Sequence, residues 1–157
     1  MTTAAALDPD GLLAHWQGHR RLTRRTIDAF PDDELFAFTA GGMRPFGAIM
    51  VEVITLIEPL LQGVASGAWA WPARGALGPS DKAALLAASD GADAAIVATL
   101  ARLPPERYLE IDTPIAGRTE PVVATLLYFI DNEIHHRGQG YVYLRLLGIE
   151  PPPFYER

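Results

Sequence analysis

The chain has 157 residues, no cysteine and a formal net charge of −6. That length suits one domain, which at this size can bury roughly 68–70% of the surface its unfolded chain exposes. The missing cysteines exclude disulfides, thiolate metal sites and a cysteine nucleophile and fit a reducing, cytoplasmic setting, while the acidic balance argues against nucleic-acid binding, which runs on Lys and Arg neutralising phosphate.

Residues 1–10 lack the basic start and apolar core of a secretory signal. The first predicted helix covers about residues 10–30, with Leu12, Leu13, Trp16, Ile27 and Phe30 at helical spacing. Asp8 is its expected N-cap, Pro9 its first residue, and Pro31 closes it. Arg20, Arg21, Arg24 and Arg25 read as a solvated face of this helix, with an anion patch as the alternative. His15 and His19, four apart, have metal-ligand spacing but no evident third ligand.

After a loop containing Gly41 and Gly42, a second helix is expected from Arg44–Pro45 to about residues 63–67, with Ile49, Val53, Ile57 and Leu60 as its core stripe. Its apolar stretch, residues 46–64, carries Glu52, Glu58 and Gln62. It reads as a buried helix of a soluble bundle and a poor membrane span. Residues 68–79 read as a long loop packed by Trp69 and Trp71. A third helix follows Ser80 as N-cap and runs to about Leu103, with Gly91 as a point of bending. Pro104 and Pro105 end it, and residues 107–114 include a short extended piece. The fourth helix follows Thr119 as N-cap and runs to about Leu147. Gly148 and the prolines 151–153 stop it. Four helices with long loops predict an all-α four-helix bundle with a crossover connection, a single domain over residues 1–157.

The fourth helix is two-faced. Val123, Leu126, Leu127, Ile130, Ile134, Tyr141 and Leu144 make an apolar stripe. Thr125, Tyr128, Asn132, His136, Gln139 and Tyr143 share another side, which suits the lining of an internal polar site. Glu133 and Arg137, four apart, read as an exposed ion pair. His135 points about 100° away from His136, off that side. Glu52 is the lone charge within residues 46–57, with no basic residue three or four positions away. It either binds in a site, or reaches solvent, or pairs with His136, because an unpartnered buried carboxylate is heavily penalised. No phosphate loop, dinucleotide fingerprint or nucleophile elbow is present.

The run Asp131-Asn132-Glu133-Ile134-His135-His136-Arg137-Gly138-Gln139, followed by Tyr143-Leu144-Arg145, Gly148-Ile149 and a Pro-rich end, resembles the closing motif of the DinB/YfiT-like family. Met43-Arg44-Pro45-Phe46-Gly47 and Ala116-Gly117-Arg118-Thr119 are similar to two further pieces of it, in the same order. The resemblance implies a DinB-like four-helix bundle, a homodimer, and a divalent metal, commonly nickel or zinc, on three histidines. One comes from the second helix and two, four apart, from the last. It also implies small-molecule substrates, and in some members thiol-dependent transfer.

Here Glu52 stands where the second-helix histidine is expected and Asn132 where the first histidine of the last helix is expected; His136 keeps its type. The implied metal ligands are therefore Glu52, Asn132 and His136, with Gln139 and Tyr143 on the same side for substrate. That donor set is harder than three imidazoles and suits manganese, magnesium or iron, or weakly held zinc or nickel. Two functions follow from the resemblance. One is a metal-dependent transferase or hydrolase-like enzyme in which the metal acidifies a bound water or thiol. The other is a non-catalytic bundle with a degenerate metal site, acting as a small-molecule binder or stress-response scaffold.

Overall fold

Helix α1 (Pro9–Ala29) begins as the sequence predicts: the Asp8 carboxylate accepts from the Gly11 amide at 2.7 Å, and Pro9 opens the first turn. The coordinates are a computed structural model that describes residues 8–73, 75 and 78–157; most of the segment read for a signal sequence, residues 1–7, lies outside them.

The second predicted helix is two. Helix α2 (Phe46–Thr55) stops and α3 (Ile57–Ser66) starts on either side of Leu56. Pro59 is the cause: it has no amide to offer the Thr55 carbonyl four residues back, and its ring crowds that carbonyl. Helix α4 (Lys82–Leu100) runs unbroken through Gly91, and its N-cap is Asp81, not Ser80; the Asp81 carboxylate accepts from the Ala84 amide at 2.8 Å.

A 3-10 turn (Pro105–Leu109) leads into an antiparallel hairpin, β1 (Ile111–Ile115) and β2 (Arg118–Pro121). This hairpin extends the short piece read from the sequence and takes Thr119 away from its expected capping role. The Thr119 hydroxyl instead meets that of Thr113 across the strands at 3.0 Å. Helix α5 (Val122–Leu146) follows without a side-chain cap, its first amide donating to the Glu110 carbonyl at 3.0 Å. It ends in a left-handed Gly148 (φ 76°), with the Ile149 amide bonding back to the Leu144 carbonyl at 2.8 Å.

In the bundle α1 packs beside α4 and α5, and α2 also packs beside α4 and α5, so α1 and α2 face each other across the diagonal. The expected crossover connection is thus residues 30–45, and the hairpin-bearing connection spans the other diagonal. Phe46–Ser66 and Lys82–Leu100 are long and apolar enough, by length and composition, to cross a membrane despite Glu52, Glu58 and Gln62. Here both are walls of the bundle.

The core has two apolar halves. One gathers Leu12, Trp16, Leu60, Val64, Ile96 and Leu126. The other gathers Ile27, Phe30, Phe46, Met50, Leu85 and Leu144. Between them α1, α4 and α5 insert a buried polar layer. Arg20, 2% exposed, donates to the Ser89 carbonyl at 3.1 Å and the Ser89 hydroxyl at 3.0 Å, and its second nitrogen lies 3.4 Å from Glu133. Glu133 also accepts from the Trp16 indole at 3.3 Å. Arg137 donates to the His19 carbonyl (3.1 Å) and the Thr23 hydroxyl (3.0 Å). Two sequence expectations are corrected here. Arg20 does not belong to a solvated face, and Glu133 and Arg137 are not an exposed pair. Each is sequestered because the partner that satisfies it comes from another helix.

Candidate ligand cleft

The hairpin and the turn before it build one wall of a cleft. Arg107 inserts under α3, donating to the Val64 and Gly63 carbonyls at 2.8 and 3.2 Å, and grips Asp112 of β1 at 2.5 Å. The Asp112 carboxyl is held below its ordinary range, first by Arg107 and further by the Trp69 indole, which donates to it at 2.8 Å. Trp69 lies flat on Gly63, where a Cβ would fall 2.1 Å from the ring, so only glycine allows this approach. Trp71 stacks on Trp69 at 5.9 Å and on Phe129 at 5.3 Å, and its indole donates to the Pro114 carbonyl at 2.6 Å. The tryptophan loop, the hairpin and α5 are thereby one rigid surface.

Against this surface, α2 closes a cleft of about 670 Å³. Its floor and sides are mostly apolar: Phe36, Val51, Leu56, Trp71, Ile115 and Phe129. Thr55 and Ser80 add hydroxyls to the lining, and three further features are polar. Asn132 lines the cleft from α5, and among the described residues its amide has no hydrogen-bond partner. Tyr128, one turn earlier, packs edge-on against Phe129 and carries the Arg118 guanidinium 4.6 Å above its ring centre. Arg44 and Glu52 face each other at 2.5 Å, Glu52 being 48% exposed.

The expected ligand residues are only partly brought together. Glu52 and Asn132 share the cleft. His136 does not line it; half-buried, its Nδ1 is 2.9 Å from the Gln139 amide oxygen. Glu52 is engaged by Arg44, which lies eight positions back, before the helix begins, and so outside the three- and four-residue spacing of helical ion pairs. Among the described residues no group of three or more His, Asp or Glu side chains converges. Three histidines would offer a metal three free lone pairs. The set present offers a carboxylate held by a guanidinium, a neutral amide, and an imidazole that lies outside the cleft. These residues do not fit a resident transition metal as they stand.

Tyr143 is corrected as a substrate contact: fully buried, it donates to the Arg44 carbonyl at 2.9 Å, and burial raises its hydroxyl pKa. Gln139 lies outside the cleft with His136. The His15–His19 pair does not make a metal site either: both ring nitrogens of His19 face guanidinium groups, those of Arg137 and Arg157, and no third ligand converges among the described residues. Arg44 and Trp71 line the cleft without being expected there from the sequence, and Arg118 lies beside it on the Tyr128 ring. Tyr128 and Asn132, four apart on the polar side of α5, were the one available signal.

The sequence profile of the DinB family matches residues 1–157. The fold is similar to that of a DinB-like protein from Bacillus cereus ATCC 10987, with TM-score 0.77 and 24% identity over 93% of this chain and 97% of that one. It is also similar to a DinB-like protein from Bacillus subtilis, with TM-score 0.73 and 20% identity over 93% and 97% of the two chains. A mycothiol-dependent maleylpyruvate isomerase variant matches with TM-score 0.65 and 16% identity, over 88% of this chain and 62% of that one. No curated protein sequence matches the chain. At these identities the solved structures speak for the fold. With the family profile spanning every residue, the chain belongs to the DinB family.

Proposed function

We propose that this chain is a small-molecule-binding DinB-like bundle, and that its cleft takes a planar, largely apolar molecule with one anionic end. The observation that carries this reading is the Arg44–Glu52 pair at 2.5 Å beside an aromatic cleft. The guanidinium there already holds a carboxylate, in the geometry a ligand carboxylate would take on displacing Glu52. Trp71, Phe129 and Tyr128 supply flat apolar surface, and the Asn132 amide supplies a directional hydrogen bond. Quenching of tryptophan fluorescence by 2-naphthoate tests it. Saturable quenching that is lost in Arg44→Ala and weakened in Asn132→Ala is expected. Quenching that is unsaturable, or unchanged in Arg44→Ala, would refute the reading.

A second reading is the metal-dependent enzyme, whether small-thiol transferase or hydrolase-like. It is favoured by one observation: Glu52 and Asn132 line the same cleft. In this reading a small thiol is the cosubstrate, as the name of one structural neighbour, a mycothiol-dependent isomerase, suggests. This reading needs Glu52 to leave Arg44 and His136 to turn its Nε2 towards the cleft, while Nδ1–H can keep donating to the Gln139 amide oxygen. Metal analysis of untagged protein separates the two readings, since the binder holds no stoichiometric Ni, Zn, Mn or Fe.

We further propose a cytoplasmic homodimer. Cysteine-free composition supports the compartment, and exposed Leu127, Val142 and Leu146 on α5 support a covered face. A sedimentation mass equal to one chain would refute the dimer.

A further inference from the structure

The polar layer between α1 and α4 is not closed by its own side chains. Arg20 donates through Nη2 to the Ser89 carbonyl at 3.1 Å and to the Ser89 hydroxyl at 3.0 Å, but its Nε has no partner among the described residues. Nε–H and Nη2 share one edge of the planar guanidinium, so Nε is turned towards α4 as Nη2 is. Nη1 belongs to the other edge, where Glu133 stands 3.4 Å away. The Ser89 hydroxyl accepts from Arg20 and donates to nothing among the described residues. Both residues are 2% exposed.

Asp93 follows Ser89 by one turn of α4, on the same side of the helix. Its Oδ1 is buried and also unpartnered. Asp93 feels the charges of Arg20, Arg21, Glu133 and Asp90, yet it forms no ion pair with either arginine. Burial raises its carboxyl above the ordinary range, as befits a group stripped of solvent without gaining a direct donor. Two unused donors, Arg20 Nε–H and the Ser89 hydroxyl, thus share a small buried region with one unused acceptor. Buried polar groups in native proteins are satisfied in the great majority, by protein or by ordered water.

We infer that one internal water molecule binds here, accepting from Arg20 Nε–H and the Ser89 hydroxyl and donating to Asp93 Oδ1. Water has two hydrogens and two lone pairs, and a buried water typically makes about three hydrogen bonds to groups otherwise unsatisfied. An ion suits the site less well. A cation would face the Arg20 charge, and an anion would face the Asp93 and Glu133 carboxylates. None of the three partners lines the ligand cleft, so the water is a structural ligand of the bundle. With fixed partners it ties Asp93 to α1 and completes the polar layer without opening it to solvent.

A high-resolution crystal structure of the unaltered full chain tests this directly. One ordered peak within about 2.6–3.2 Å of Arg20 Nε, Ser89 Oγ and Asp93 Oδ1 is expected. Direct contact between Arg20 Nε and Asp93, or a Ser89 hydroxyl turned back onto its own helix with no peak beside Nε, would overturn the inference. Oxygen-17 relaxation dispersion gives a second readout in solution, because it counts long-lived internal waters. Asp93→Asn keeps an oxygen acceptor and should keep the count. Asp93→Leu removes the acceptor, fills its space and should lower the count by about one. Equal counts in the two folded variants would also overturn the inference. Circular dichroism verifies folding, and the crystal structure decides alone where a variant fails to fold.

Discussion

Glu133 and Arg20 meet at 3.4 Å inside the bundle, 1% and 2% exposed, though 113 positions separate them in the chain. The pair sits in the polar layer that divides the two apolar halves of the core, with the Trp16 indole on one side and Ser89 on the other. Its geometry is that of a close ion pair without a direct hydrogen bond, because the Arg20 donors that are well aligned point at Ser89.

Removing one member strands the other. Glu133→Ala leaves the Arg20 charge buried beside a serine and is expected to cost about 3–5 kcal/mol in urea unfolding. Replacing both by a close-fitting apolar pair, Arg20→Met with Glu133→Leu, should recover most of that loss. A Glu133→Ala cost below about 1 kcal/mol would show that the layer is hydrated and weakly coupled.

His19 makes the fold acid-sensitive. Burial first, then Arg137, His15 and Arg157, lower its pKa from 6.5 to about 4. Between those values the unfolded chain binds the proton and the folded chain does not, so stability falls as pH drops. The loss should begin near pH 6.5 and be complete below about pH 4. Asp90 and Asp112, lowered by Arg24 and Arg107, add losses of the same sign only at more acid pH, whereas Asp93, raised by burial, acts in the opposite direction. Urea midpoints measured from about pH 7 to about pH 5 should decline in the unaltered protein and stay flatter in His19→Asn. Equal slopes would dismiss His19 as the cause.

The wall of the cleft depends on Gly63. An alanine there puts its methyl group into the Trp69 ring, which cannot retreat without breaking its bond to Asp112. Gly63→Ala should cost about 1–3 kcal/mol and displace the Trp69–Trp71 stack. Loss of 2-naphthoate quenching alongside retained helicity by circular dichroism is the expected signature. Full quenching in a folded variant would place the ligand elsewhere.

Glu52 separates binder from metalloenzyme through stability as well as composition. Its pair with Arg44 is about half exposed, so Glu52→Ala should change stability by no more than about 1 kcal/mol. Freed of its internal carboxylate, Arg44 should then bind 2-naphthoate more tightly. A Glu52→Ala variant that loses a bound metal or its thermal response to added Ni, Zn, Mn or Fe would favour the enzyme.

The helices were legible because their signals are local. Asp8 and Pro9 begin α1, Gly148 ends α5, and side chains three or four apart reveal faces without reference to the rest of the chain. The closing motif of α5 was enough for the family. Local signals also misled at their own scale: Ser80 and Thr119 are good caps, yet Asp81 takes one position and a hairpin absorbs the other. Pro59 was readable as a helix break, but the apolar stripe running past it masked the effect.

The sequence by itself determined which stretches are helical and that they assemble as a DinB-like bundle, and it singled out Glu52, Asn132 and His136 by resemblance alone. Only the tertiary structure decided what those residues touch. It gave Glu52 to Arg44, buried Glu133 against α1, sank Tyr143 into the core, and gathered four arginines from two ends of the chain around one cavity. The physical reason is that helical periodicity records whether a face is covered, not by what. A charge facing a covering helix is paired or stranded according to a partner more than a hundred positions away, and that distance leaves no mark in the local pattern.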